Sequence, residues 1–148
     1  MSQQKTVLIT GCSDGGIGSA LAKAFQSLGL RVFATARTLA NMASLEQLPS
    51  VTLLRLDVTS SASIDAAVEA VKKETNGTLD YLINNAAINQ YSPALDIEIA
   101  EAKKMFDTNY WGALEVTQKF GPLLIATKGT IVGISSISAH ANIPYCSE

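Results

Sequence analysis

The turn Thr10-Gly11-Cys12-Ser13-Asp14-Gly15-Gly16-Ile17-Gly18 constrains this chain more than any other stretch. It follows an apolar run, Thr6-Val7-Leu8-Ile9, that reads as a buried strand. It precedes Ser19-Ala20-Leu21-Ala22-Lys23-Ala24-Phe25, which reads as a helix. Glycines let the backbone turn sharply and let another group approach without meeting a Cβ. A helix opening straight out of such a turn aims the N–H groups of its first turn at whatever the turn encloses, a layout that suits a pyrophosphate. The ordinary alternative is a tight turn with incidental glycines, and the strand before it and the helix after it argue against that. The spacing is neither G-x-G-x-x-G nor the Walker loop, which needs Gly-Lys-Ser/Thr after its second glycine. Here Gly11 is followed by four residues and then Gly16-Ile17-Gly18.

The rest of the chain alternates strand and helix. Lys5–Thr10 reads as the first strand and Gly16–Leu28 as the first helix, closed by Gly29. Arg31–Ala36 is a second strand, Asn41–Leu48 a short helix stopped by Pro49, and Val51–Leu56 a third strand. Ser61–Thr75 is amphipathic, with Ile64, Val68 and Val71 on one face, and Asn76-Gly77 ends it. Leu79–Asn84 is a fourth strand. Residues from about Glu98 to Thr127 hold one long helix or two in tandem, interrupted near Asn109–Gly112, and Gly129–Ile134 is a fifth strand. Such alternation predicts an α/β fold, a parallel sheet with helices on both faces.

A chain of 148 residues, 47% of them hydrophobic, can bury a core and is too apolar to be disordered. Its net charge of −2 gives no basic footprint for nucleic acid. No apolar stretch approaches transmembrane length, and the N-terminus lacks the apolar core of a signal peptide, so a cytoplasmic location is expected. Cys12 and Cys146 have neither metal spacing nor a disulfide pattern. Cys12, inside the glycine turn, reads as a small filler, with a redox role as the alternative. His140 stands without a Cys, Asp or Glu cluster, so no metal site is expected.

The turn resembles the T-G-x-x-x-G-x-G segment of the short-chain dehydrogenase/reductases, lengthened by one residue. The extra residue leaves the phosphate donor open among Ser13, Asp14 and Gly15. The longer T-G-C-S-x-G-G-I-G form is similar to a fungal branch related to NADPH-dependent acyldihydroxyacetone-phosphate reductases. The resemblance implies a Rossmann-type doubly wound parallel sheet in three layers, with Gly11, Ser13, Gly16, Ile17 and Gly18 around the pyrophosphate of a nicotinamide dinucleotide. In NAD-binding members an acidic residue about 20 positions after the glycines accepts from the adenine ribose. That neighbourhood here reads Thr35-Ala36-Arg37-Thr38, without a carboxylate. Arg37 offers a planar cation suited to a 2′-phosphate, and Thr38 adds a hydroxyl, so NADP(H) is expected. A solvated arginine after a strand is the plain alternative.

Further strand ends match the family residue by residue. Leu56-Asp57-Val58 resembles the adenine-contacting segment, with Asp57 accepting from the amino group and Val58 packing on the ring; Asp57 could equally serve the start of the helix near Ser61. Asn84-Asn85-Ala86-Ala87 resembles N-N-A-G, with Asn85 bridging strand and ribose, Ala86 close to the cofactor, and Ala87 in the usual place of glycine. Asn109 lies in Asn109-Tyr110-Trp111-Gly112, which resembles N-x-x-G. In the family this Asn sits at a helix irregularity whose freed carbonyl holds a relay water. Lys119, ten residues on, is a candidate for the cofactor side. Ser136, after the fifth strand, matches the serine that donates to the substrate carbonyl.

In the family that serine stands thirteen residues before the tyrosine of Y-x-x-x-K, which corresponds to position 149, one past Glu148. Tyr145, nine residues after Ser136, is not a substitute, and Pro144 agrees with this alignment. The resemblance therefore implies that the tyrosine, the lysine, two strands and the substrate-covering loop lie beyond these residues, and that the chain is a single NADP(H)-binding unit cut after its fifth strand. Two functions follow: part of an NADP(H)-dependent carbonyl reductase or alcohol dehydrogenase, with acyldihydroxyacetone phosphate as the first candidate substrate, or a noncatalytic nucleotide-binding remnant. The resemblance also implies a homo-oligomer for a full-length form and peripheral association with endoplasmic reticulum or lipid droplets.

Overall fold

A computed structural model describes residues 4–141. Pro144, Tyr145 and Cys146 lie outside them. The described strands are β1 (Thr6–Ile9), β2 (Arg31–Ala36), β3 (Val51–Arg55), β4 (Tyr81–Asn84) and β5 (Thr130–Gly133). They form one sheet in the order β3-β2-β1-β4-β5, with every pairing parallel. The helices are α1 (Ile17–Ser27), α2 (Ser61–Thr75), α3 (Ile99–Phe106) and α4 (Ala113–Thr127). The parallel sheet with flanking helices expected from the alternation is present, in the Rossmann-type arrangement that the resemblance implies.

Strand alternation divides the core into two layers. Leu8, Phe33 and Leu82 face α2 and α4, where they join Ile64, Val71, Val116 and Phe120. Val7, Ile9, Val32, Ala34 and Ile83 face the other way and pack with Ala22 of α1 and with Met42 and Leu45. A central parallel strand is covered on both sides, which is why its sequence reads as an unbroken apolar run. The order reverses between β1 and β4, and in open α/β sheets ligands bind outside the carboxyl ends of the strands at that reversal.

Two elements differ from the sequence reading by more than one residue, each for a physical reason, and the expected interruption of the long helix is present. The helix expected over Asn41–Leu48 is instead 3₁₀ turns over Leu39–Leu45, kinked at Met42. Only Met42 and Leu45 of that stretch are fully buried, and a spacing of three suits the three-residue turn. Leu79 lies outside β4 because its N–H donates to Leu123 O of α4 at 3.0 Å. The interruption near Asn109–Gly112 is a single wide π turn, Asp107–Gly112, between α3 and α4. Ser60 caps α2 by accepting from Ser63 N, and Asn76 in left-handed conformation closes it, as the Asn-Gly pair predicted.

Candidate functional site

The glycine turn leaves β1 and is tied down from below. Thr10 Oγ1 accepts from the N–H groups of Asn85 (3.0 Å) and Ala86 (2.9 Å). Asn85 Nδ2 donates to Thr10 O (2.9 Å) and Gly11 O (3.0 Å). These bonds lock the end of β1 to the end of β4 across the reversal of strand order. Gly11 has φ +74°, and a Cβ there would sit 2.8 Å from Ala86 Cα. A Cβ on Gly18 would come within 2.4 Å of Gly11 O and 2.7 Å of Asn85 Nδ2. Helix and turn therefore approach at a distance that only glycine permits. At Gly16 a Cβ would meet only Ser13 O, at 3.1 Å, so that position is the more tolerant of the two.

Cys12 is fully buried, and its thiol donates to Ile9 O. Burial pushes the thiol up to about 12, against a smaller opposing effect of the hydrogen bond with the Thr35 backbone. A thiol with that pKa is not a redox nucleophile. Cys12 is a filler.

Beside the turn lies a cleft of about 570 Å³. The turn contributes Gly11, Ser13 and Ile17, and the end of β2 contributes Ala36 and Arg37. The segment after β3 contributes Leu56 to Thr59, and the segment after β4 contributes Asn85 to Ile88. These four segments all follow the carboxyl ends of strands. No side chain caps the N-terminus of α1, so its first-turn amides are left to whatever enters. Partial burial pushes Asp57 up, but the Thr59 N–H and hydroxyl, with Arg37 and Arg55, outweigh it and hold the carboxyl below its ordinary value. Asp57 Oδ1 accepts from Thr59 N at 3.0 Å and Thr59 Oγ1 at 2.8 Å, while Ser60 rather than Asp57 caps α2.

The fourth segment is held from behind by Asn109. Its Oδ1 accepts from Ile88 N and its Nδ2 donates to Ile88 O, each at 2.9 Å. The wide turn that carries Asn109 also brings Gly112 against the segment after β3, where a Cβ would lie 2.8 Å from Val58 Cγ2. Ala87, in the place of the usual glycine, does not have a left-handed backbone, so the replacement costs no strain.

Eight of the residues singled out by sequence meet in this cleft: Gly11, Ser13, Ile17, Arg37, Asp57, Val58, Asn85 and Ala86. Gly16 and Gly18 shape the turn without lining the cleft, and Thr38 stands just outside it. Ser136 is exposed beyond β5, its Oγ accepting from Ser138 N at 3.1 Å. Lys119 requires a correction. It does not line the cleft; its ammonium pairs with Asp65 of α2 and with Glu115. Sequence spacing from Asn109 could not show that α2 lies alongside that face of α4. Lys104, Asp107 and Thr108 line the cleft and were missed. Their spacing places them on one helical face, and that was the available signal.

A family profile for short chain dehydrogenases matches residues 5–147. The chain belongs to the short-chain dehydrogenase family. It is 52% identical over 138 residues to the short-chain dehydrogenase ptmH of Penicillium ochrochloron, an alignment covering 93% of this chain and 51% of the relative. It is 44% identical over 145 residues to the NADPH-dependent 1-acyldihydroxyacetone phosphate reductase of Schizosaccharomyces pombe, covering 98% of this chain and 48% of that one. Among solved structures, ElxO with NADP bound superposes with a TM-score of 0.87 at 28% identity, over 97% of this chain and 60% of its own. A short-chain dehydrogenase from Streptomyces avermitilis gives 0.86 at 27% identity, over 97% of this chain and 53% of its own. The chain spans about half the length of the curated relatives it matches. Among the described residues, no helix of this family member is long and apolar enough to cross a membrane.

Proposed function

We propose that these residues are the cofactor-binding part of an NADP(H)-dependent oxidoreductase that interconverts a carbonyl and an alcohol. The observation that carries the reading is Arg37 at the end of β2, in the same cleft as the glycine turn, with Ala36 before it in place of a carboxylate. The cleft fits the dinucleotide on its own geometry. Gly11 and Gly18 let the turn, α1 and the segment after β4 close into a floor that side chains would push apart, and the α1 amides supply donors for pyrophosphate.

In this reading Ser13 and the first turn of α1 hold the pyrophosphate, and the Arg37 guanidinium pairs with the 2′-phosphate, with Thr38 beside it. Asp57 accepts from the adenine amino group and Val58 packs on the ring. Asn85 acts indirectly, because its amide is committed to Thr10 and Gly11, and its role is to hold the floor beneath the ribose. The nicotinamide supplies or accepts the hydride. The Ser136 hydroxyl leaves Ser138 to donate to the substrate oxygen as negative charge develops there. Asn109, whose side chain is committed to Ile88, contributes through the main chain of its wide turn, which orders a water for proton transfer.

The S. pombe relative makes 1-acyldihydroxyacetone phosphate the first substrate to try. The test of the cofactor assignment is titration of the complete polypeptide with NADPH and NADH, alone and as Arg37→Ala. NADPH is expected to bind more tightly, and removing the guanidinium should weaken NADPH by about 10–100-fold while leaving NADH nearly unchanged. Equal affinities in the parent, or a preference that survives Arg37→Ala, would overturn the assignment.

A further inference from the structure

Asp14, within the lengthened stretch of the glycine turn, has a partner outside the turn. Asp14 Oδ1 accepts from Ser44 Oγ at 2.6 Å, and the Ser44 N–H lies 3.3 Å from Oδ1 and 3.2 Å from Oδ2. The Asp14 N–H donates to Asn41 O at 2.7 Å. Both partners belong to the 3₁₀ turns Leu39–Leu45, which begin two residues after Arg37. On the near side of Arg37, Cys12 N donates to Thr35 O at 2.8 Å. The stretch carrying Arg37 is therefore fastened to the glycine turn at both ends, by Cys12 before it and by Asp14 after it.

From this geometry we infer that Asp14 is a positioning residue for cofactor selection. Its carboxylate fixes the 3₁₀ turns against the glycine turn, and so sets where the Arg37 guanidinium stands relative to the pyrophosphate site. The inference rests on the NADP(H) reading above. A carboxylate in a phosphate-binding turn would repel the ligand if it faced inward. Here it points the other way, toward Ser44, and the charge of Lys23 also favours its ionised form. Gly15 follows Asp14 and turns the backbone. Its φ is +78° with nothing within 4 Å of a Cβ, so glycine is needed there for conformation and not for space. The lengthened stretch thus places a backbone-redirecting glycine after an outward-facing acid, and the acid reaches across 30 positions of sequence to the loop that would read the 2′-phosphate.

The test is equilibrium binding of NADPH and NADH to the complete polypeptide carrying Asp14→Ala, Ser44→Ala, both together, or Asp14→Asn, with a thermal melt of each. Asp14→Ala should weaken NADPH about tenfold and NADH by less than about twofold, so the preference itself falls. Ser44→Ala should move the ratio the same way by a smaller amount, and the double variant should be no worse than Asp14→Ala, because both remove one interaction. Asp14→Asn keeps an acceptor for Ser44 and should keep most of the preference. A merely structural brace would lower the melting temperature and weaken both cofactors equally, and that result overturns the inference. So does an unchanged ratio in Asp14→Ala. If Asp14→Ala does not fold, Ser44→Ala carries the same ratio test with a single hydroxyl removed. A parent without NADPH preference overturns the cofactor assignment and this inference with it, whereas a parental preference that survives Asp14→Ala overturns the positioning role alone.

Discussion

All four residues of β1 are buried and so are Val32–Ala36 of β2, whereas all four residues of β5 are exposed. The contrast extends to the surroundings. Near the glycine turn the polar groups close on one another, through Thr10, Asn85 and the backbone they join. Near β5, Asn84 Nδ2 donates to Thr117, but Asn84 Oδ1 is buried and accepts nothing among the described residues. Trp111 is 55% exposed and Ile125 is 79% exposed. Beyond β5 no further strand pairs among the described residues. The cleft side of the sheet is thus assembled from contacts internal to these residues. On the Ser136 side, β5 is the last strand among the described residues, and its residues are exposed there. Binding and turnover should accordingly respond to different substitutions.

The largest effect that could break this contrast belongs to Gly18. A valine there would drive its Cβ into Gly11 O and the Asn85 amide, two parts of the knot under the turn. Gly18→Val should abolish binding of both cofactors, while Gly16→Val, whose Cβ meets only Ser13 O at 3.1 Å, should retain measurable binding. Calorimetric titration beside circular dichroism would check the order. Equal loss at both positions would mean that the knot is not what shapes the site.

How much of this was legible in the sequence follows from the same physics. The strands were readable because a parallel strand covered on both faces must be an apolar run, and Val7-Leu8-Ile9 and Val32-Phe33-Ala34 are such runs. The cleft residues at strand ends were readable because each stands where a run ends, whereas Lys104, Asp107 and Thr108, on α3 and the wide turn after it, were not. The 3₁₀ turns were not, since two core contacts in seven residues carry too little periodicity to separate them from a short helix. The Asp14–Ser44 bond and the Lys119–Asp65 pair were invisible for a different reason. Polar contacts between residues far apart in sequence leave no local pattern, and only the packing of the elements brings them together.

A smaller effect should fall on the other side of the sheet. Ser136→Ala in the complete polypeptide is expected to lower kcat by about 10²–10³-fold, the usual loss when one donor to a developing oxyanion is removed. Affinity for NADPH should stay within about twofold of the parent, because Ser136 does not line the cleft beside the glycine turn. Steady-state kinetics with a carbonyl substrate, alongside direct cofactor titration, would separate the two quantities. A matching loss in cofactor affinity would show that the two sides of the sheet are not independent.

The smallest effect sharpens the electrostatic part of the comparison. Partial burial raises Asp57, and the Thr59 N–H and hydroxyl with Arg37 and Arg55 more than reverse it, leaving the folded-state pKa below the unfolded one. A carboxylate so placed stabilises the fold above its unfolded pKa, and that contribution is lost as the pH falls through the folded value. Asp57→Asn should therefore lower the melting temperature at pH 7, and the difference from the parent should shrink as the pH falls below the ordinary carboxylate range. Solvent screens the site, so the cost at neutral pH should remain below about 1 kcal/mol. Made in an Arg37→Ala background, the same substitution should cost less, since one of the two cations favouring the ionised form is gone. Paired melts across the acid range would decide it. A difference that grows toward low pH would show that burial governs Asp57, and that the Thr59 hydrogen bonds and the cations at the ends of β2 and β3 do not hold its charge.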